Sequence, residues 1–118
     1  MRTFGHRTSQ RQAVGAVSVS RWEQFGLVPS MPFDAMWYSV PPGESSPVDV
    51  HPERELSLVV SGTADVESGG RVTRVTGGDA FLLEADEPHQ VHNRSAEPLV
   101  VFSAYWAPAA EAGEVHGG

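Results

Sequence analysis

The feature that most limits how this chain folds is its punctuation. Twelve Gly and nine Pro interrupt 118 residues. No segment holds a helical period over ten or more residues. Between the interruptions lie short runs rich in β-branched and aromatic residues. Residues 17–22, 34–40, 48–51, 55–60, 64–67, 72–75, 80–83, 89–93 and 98–106 read as strands. The sequences Pro41-Pro42-Gly43, Ser61-Gly62-Thr63 and Gly77-Gly78-Asp79 read as breaks and turns, and Ser68-Gly69-Gly70-Arg71 as a hairpin loop. Many short strands with turn signals between them predict an all-β fold, a sandwich or small antiparallel barrel. The length suits one domain. The expected organisation is an N-terminal arm over 1–16, a β domain over 17–106 and a frayed tail over 107–118.

Charge and missing residue types exclude several functions. The net charge of −7 repels phosphate backbones, so no nucleic-acid partner is expected. With no Cys, disulfides and thiolate metal sites are ruled out. All eight basic side chains are Arg, so a Schiff-base lysine is ruled out too. No apolar run is long enough to span a membrane, and the N-terminus lacks the apolar stretch of a signal peptide. The default expectation is a cytoplasmic protein. Arg2, Arg7, Arg11 and Arg21 all precede the first acid, Glu23. They read as a solvated arm, or as an arm that docks on an acidic partner subunit.

The chemistry-bearing residues sit in the middle of the chain. Asp49 and His51 are two apart, so in one strand they point to the same face. Glu55 opens the next strand after a Pro-containing turn, and His89 follows Pro88 later on. Imidazole nitrogen and carboxylate oxygen suit a divalent Fe, Mn, Zn, Ni or Cu ion, and two His with one carboxylate is the ligand set of non-haem iron oxygenases.

The spacing of these residues resembles the cupin superfamily. That family's first motif is Gly, five residues, His-x-His, three or four residues, Glu, six residues, Gly; here it runs Gly43, five residues, Asp49-Val50-His51, three residues, Glu55, six residues, Gly62. The second is Gly, five residues, Pro-x-Gly, two residues, His, three residues, Asn; here it runs Gly78, five residues, Glu84-Ala85-Asp86, two residues, His89, three residues, Asn93. Asp49 stands where the first His is usual, Glu84 where Pro is, and Asp86 where Gly is. The resemblance implies a small antiparallel β-barrel of jelly-roll type, with a metal inside it held by His51, Glu55 and His89. Asp49 is open to three roles: a fourth ligand, a group orienting His51 or a water, or a shorter side chain that leaves a coordination position free. A barrel without metal is the alternative. Against it, two facing carboxylates with no cation between them disfavour joint ionisation.

The same resemblance implies a metal-dependent enzyme acting on a small molecule, of oxygenase, lyase, cyclase, dehydratase or isomerase type, as in bacterial specialised metabolism. Asp49, Glu55, Tyr38, Tyr105 and Glu53 are the candidate proton-handling groups. The alternatives are a non-catalytic ligand-binding or sensory protein and a bare structural barrel. Glu84 and Glu87 read as a solvated loop, and Asp86 as a residue tolerating the backbone conformation that Gly usually supplies. His92 has the opposite parity to His89 and points away from the site, whereas Val91 and Asn93 share that parity and are expected at the cavity. His6 and His116 are assigned no role. The clustered aromatics read as core or interface. An exposed sheet edge and an arm together predict a homodimer, with the arm or first strands crossing to the partner.

Overall fold

Alternation along each run sets the strands, and the glycines set where they turn. The computed structural model describes residues 1–27 and 30–108. Its strands are β1 (Gln12–Val14), β2 (Val17–Arg21), β3 (Asp34–Val40), β4 (Arg54–Ser61), β5 (Thr63–Ser68), β6 (Arg71–Thr76), β7 (Ala80–Leu83), β8 (His89–His92) and β9 (Leu99–Trp106). A single 3-10 turn, Trp22–Phe25, follows β2 where the sequence reading carried the strand on to Trp22. No helix of the described residues is long and apolar enough to cross a membrane. The tail over 109–118, with His116, lies outside the described residues.

The strands form two antiparallel sheets, one of six in the order β1-β2-β3-β9-β4-β7 and one of three in the order β6-β5-β8. Val17, Val19, Tyr38, Val40, Val59, Leu99 and Val101 from the larger sheet meet Ala64, Val66, Val75 and Val91 from the smaller one in a single buried cluster. These positions alternate along their strands, so each sheet turns one apolar face to the other, as a jelly roll requires. The predicted hairpin joins β5 to β6 through a two-residue loop, with Ser68 paired to Arg71. Gly69 and Gly70 both have positive φ there, as a twist-matched hairpin turn demands.

Gly62, which closes the first motif, has φ 93°, and a Cβ built on it would lie 2.5 Å from the carbonyl oxygen of Pro98. Only Gly fits where this turn crosses the chain entering β9.

The expected strand over 48–51 is not formed. Pro47 and Pro52 bracket that segment and lack donors, which shortens any ladder. What remains is a single bridge in which Asp49 N donates to His89 O and His89 N to Asp49 O, each at 2.9 Å.

The outer face of the larger sheet carries an aromatic cluster. Trp22 sits 4.9 Å from Trp37 and 5.2 Å from Phe102, between ring centroids. Phe4, from the segment read as an arm, stacks on Phe25 at 4.6 Å and meets Trp22 edge-on at 4.9 Å. Gln24 adds polar ties, accepting from Gln10 N at 2.9 Å and donating to Arg21 O at 2.7 Å. Phe4 gives this segment an anchor that its polar, basic composition hides.

Candidate metal centre

The bridge between Asp49 and His89 explains why groups forty residues apart meet. Residues directly opposed in an antiparallel pair present their side chains to the same side. Among the described residues, Asp49, His51 and His89 each offer a ligand atom within 4.8 Å of the others. Glu55 reaches them from β4, with its Oε1 3.2 Å from His51 Nε2. The two imidazole rings stand 5.0 Å apart, inclined at 72°. Three of the four sequence candidates therefore converge, and Glu55 joins them through His51.

The chemistry of this set fits a cation. His51 Nδ1 lies 2.9 Å from Glu53 O, and His89 Nδ1 lies 2.9 Å from Glu87 O. A carbonyl only accepts, so each Nδ1 carries the hydrogen, and in a neutral ring Nε2 is left with its lone pair. Backbone carbonyls in this role fix the tautomer of metal-binding imidazoles. His51 Nε2 then faces the carboxylate of Glu55, acceptor to acceptor. A cation between them relieves that contact.

Glu55 is 5% exposed and is held from behind. Its Oε2 accepts from Ser57 Oγ and Ser103 Oγ, each at 3.0 Å, and the two hydroxyls lie 2.7 Å from each other. Both serines are fully buried. The sequence reading missed them, although β4 carries the signal. Glu55 and Ser57 point in while Leu56 and Leu58 are exposed, so polar residues take inward positions on this strand and leucines take outward ones.

In the loop before His89, Glu84 is exposed as expected, whereas Glu87 is held by hydrogen bonds. Glu87 Oε1 accepts from Glu84 N at 2.9 Å and Oε2 from Ser68 Oγ at 2.6 Å. The Ser68 hydroxyl, then the Glu84 amide, hold the Glu87 carboxyl below its usual range. Glu84 pairs with Arg54 at 3.0 Å, with both side chains largely exposed. Asp86 has φ 61°, the left-handed conformation expected at this motif position.

A cavity of about 190 Å³ opens beside the cluster. Val17, Val19, Met36, Val48 and Val91 supply apolar wall, and Asp49, Glu55, His89, Tyr38 and Arg21 the polar groups. Val91 is where its parity puts it. Asn93 is not at the cavity: its Nδ2 donates to Val40 O at 2.9 Å and Glu97 O at 2.7 Å, and its Oδ1 accepts from Ser95, so it fastens a turn. His92 points away, against Glu67 and Ser45.

Tyr38 is buried in the cavity wall, and burial, then the Glu55 charge, push its phenol far above the usual range. The raised value favours the neutral phenol, which has a hydrogen to donate. Tyr105 is outside the cavity lining. Its Oη donates to Glu23 Oε1 at 3.3 Å and accepts from Arg21 Nη1 at 3.5 Å. Glu53 contributes its carbonyl to His51 while its side chain is exposed. Arg21, read with the arm, belongs instead to the cavity, because it shares the inward parity of Val17 and Val19.

Comparison with known proteins agrees with this architecture. The family profile described as Cupin_2, cupin domain, matches residues 36–105. Among solved structures, a Cupin 2 conserved barrel domain protein from Salinispora arenicola is 24% identical with a TM-score of 0.73, covering 99% of this chain and 95% of its own. The Cupin_2 domain of an XRE family transcriptional regulator from Enterobacter cloacae is 22% identical with a TM-score of 0.68, covering 80% of this chain and 99% of its own. A predicted oxalate decarboxylase from Thermotoga maritima is 18% identical with a TM-score of 0.70, covering 86% of this chain and 93% of its own. At these identities the likeness is one of fold.

Proposed function

The chain belongs to the cupin domain family, and from that premise we propose that it is a metal-dependent enzyme acting on a small molecule. In this reading His51, His89, Asp49 and Glu55 hold one divalent ion. The observation that carries it is the pair of Nδ1–carbonyl contacts, at 2.9 Å each, which leave both Nε2 lone pairs available, that of His51 facing Glu55 at 3.2 Å. Asp49 takes the position of the missing imidazole as a ligand, since its carboxylate already lies in the cluster with both rings.

A bound divalent ion would supply Lewis-acid polarisation of a substrate oxygen. The chain's own residues do the rest. Tyr38 can hydrogen-bond a substrate from the wall, the valines exclude water, and Ser57 with Ser103 keep Glu55 in place. The neighbour from Thermotoga maritima, a predicted oxalate decarboxylase, is in keeping with catalysis in this fold.

A second reading, a non-catalytic ligand-binding or sensory protein, draws on one observation. Glu55, a candidate base, has its Oε2 tied to two buried hydroxyls, which hold the carboxylate in a fixed position. The neighbour that belongs to a transcriptional regulator is in keeping with it. In both readings the metal site and the small-molecule ligand are the same.

Elemental analysis of protein purified without an affinity tag tests the centre. Near-stoichiometric metal is expected in the wild type, and loss of it in His51→Ala and in His89→Ala. Fresh wild-type protein without metal would remove the reading. For the choice between enzyme and binder, a ligand that co-purifies unchanged through repeated incubation with metal-loaded protein would favour the binder.

A further inference from the structure

We propose that the cavity takes a small monocarboxylic acid with an apolar body, and that Arg21 holds its carboxylate; this rests on the metal reading above. Arg21 is the one cationic side chain in the cavity lining. Among the described residues it makes no ion pair, whereas Arg54, Arg74 and Arg94 each have a carboxylate within 3.3 Å. The only hydrogen bond of its guanidinium among them is the long one, 3.5 Å, to Tyr105 Oη. Tyr105 Oη in turn donates to Glu23 Oε1 at 3.3 Å.

The charges of the lining point the same way. A divalent ion would cancel Asp49 and Glu55, the two carboxylates of the lining. Arg21 is then the remaining charged side chain among the Arg, Asp and Glu residues of the lining. One unbalanced positive charge suits a monoanion better than a phosphate dianion. The planar guanidinium fork matches a carboxylate with two parallel hydrogen bonds.

Size and polarity define the remainder of the ligand. The cavity, about 190 Å³, is smaller than the roughly 300 Å³ at which drug-sized pockets begin. Val14, Val17, Val19, Met36 and Val91 give the cavity an aliphatic wall. A short branched or unbranched hydrocarbon body fills such a space, while a sugar would leave its hydroxyls unpaired.

The test uses isovalerate, with isovaleramide as its uncharged isostere, titrated by ligand-observed NMR into zinc-loaded full-length protein. Zinc is measured in each sample. Wild type is expected to bind the acid at least about tenfold more tightly than the amide, the scale of a charge-assisted hydrogen-bond pair. In Arg21→Gln that preference is expected to fall below about threefold, with zinc content unchanged. Equal binding of acid and amide by wild type, or no binding of the acid, overturns the proposal without needing the variant. A preference that survives in Arg21→Gln also overturns it, since the metal alone would then hold the carboxylate. Zinc-free wild type that still shows the Arg21-dependent preference upholds the carboxylate site and overturns the metal reading only.

Discussion

The backbone amide of Asp86 donates to the carbonyl oxygen of His51 at 2.8 Å. The segment of one proposed ligand, His51, is thereby tied to the loop that delivers another, His89, three residues later. Asp86 makes this contact at φ 61°, the one non-Gly residue with positive φ among those described. The family's usual Gly at this position is a backbone requirement, and Asp meets it at some energetic cost.

Asp86→Gly is therefore expected to stabilise the fold by about 0.5–1 kcal/mol, and Asp86→Val to destabilise it by more than about 1 kcal/mol, because a β-branched residue resists the left-handed region. Urea denaturation of the three proteins checks both signs. Destabilisation by Gly would mean that the Asp side chain matters more than its backbone angle.

Ser57 and Ser103 should act on the metal through Glu55. Removing one hydroxyl leaves a buried carboxylate oxygen short of a donor, at a cost of about 1–3 kcal/mol. Metal affinity is expected to fall about tenfold or more, as when an outer-shell partner is lost. Competition with a chromophoric chelator reads the affinity of Ser57→Ala and Ser103→Ala. Unchanged affinity with reduced stability would confine the serines to packing.

Acid stability should show the Asp65 cluster. Hydrogen bonding and charge from Arg74, outweighing burial and assisted by Arg94, hold the Asp65 carboxyl below its ordinary 3.8. Its folded value is the depressed one, so its contribution is whole above the unfolded value and is lost as pH falls through the folded value. Asp65→Asn should be less stable than wild type at neutral pH, and the gap should close on acidification below 3.8. A gap independent of pH in denaturant melts would rule out the ionic origin.

A homodimer remains our proposal for assembly. β7 is a sheet edge, and Leu56, Leu58 and Leu82 lie on β4 and on β7 itself, at 44%, 42% and 50% exposure. An unpaired edge beside an apolar patch favours self-association. Light scattering at micromolar concentration should return twice the 12.7 kDa chain mass, and a monodisperse monomer would dismiss the idea.

What the sequence determined by itself is whatever short-range rules decide. Gly and Pro positions set the turns, alternation set the strands, and the hairpin at Gly69-Gly70 follows from backbone freedom at two residues. The spacing of two motifs picked out His51, Glu55 and His89, and the left-handed angle at Asp86 was readable from the residue it replaces. The tertiary structure decided the rest, because it depends on pairings between distant segments. The strand expected at 48–51 gives way to one bridge, and that bridge to His89 brings Asp49 into the ligand cluster. Ser103 reaches Glu55 across 48 positions, and no local pattern announces such a contact. Arg21 reads as part of a basic arm until β2 pairs with β3 and turns its alternate side chains into the cavity. Local conformation is encoded in neighbouring residues, whereas the chemistry of a cavity is set by which faces the sheets bring together.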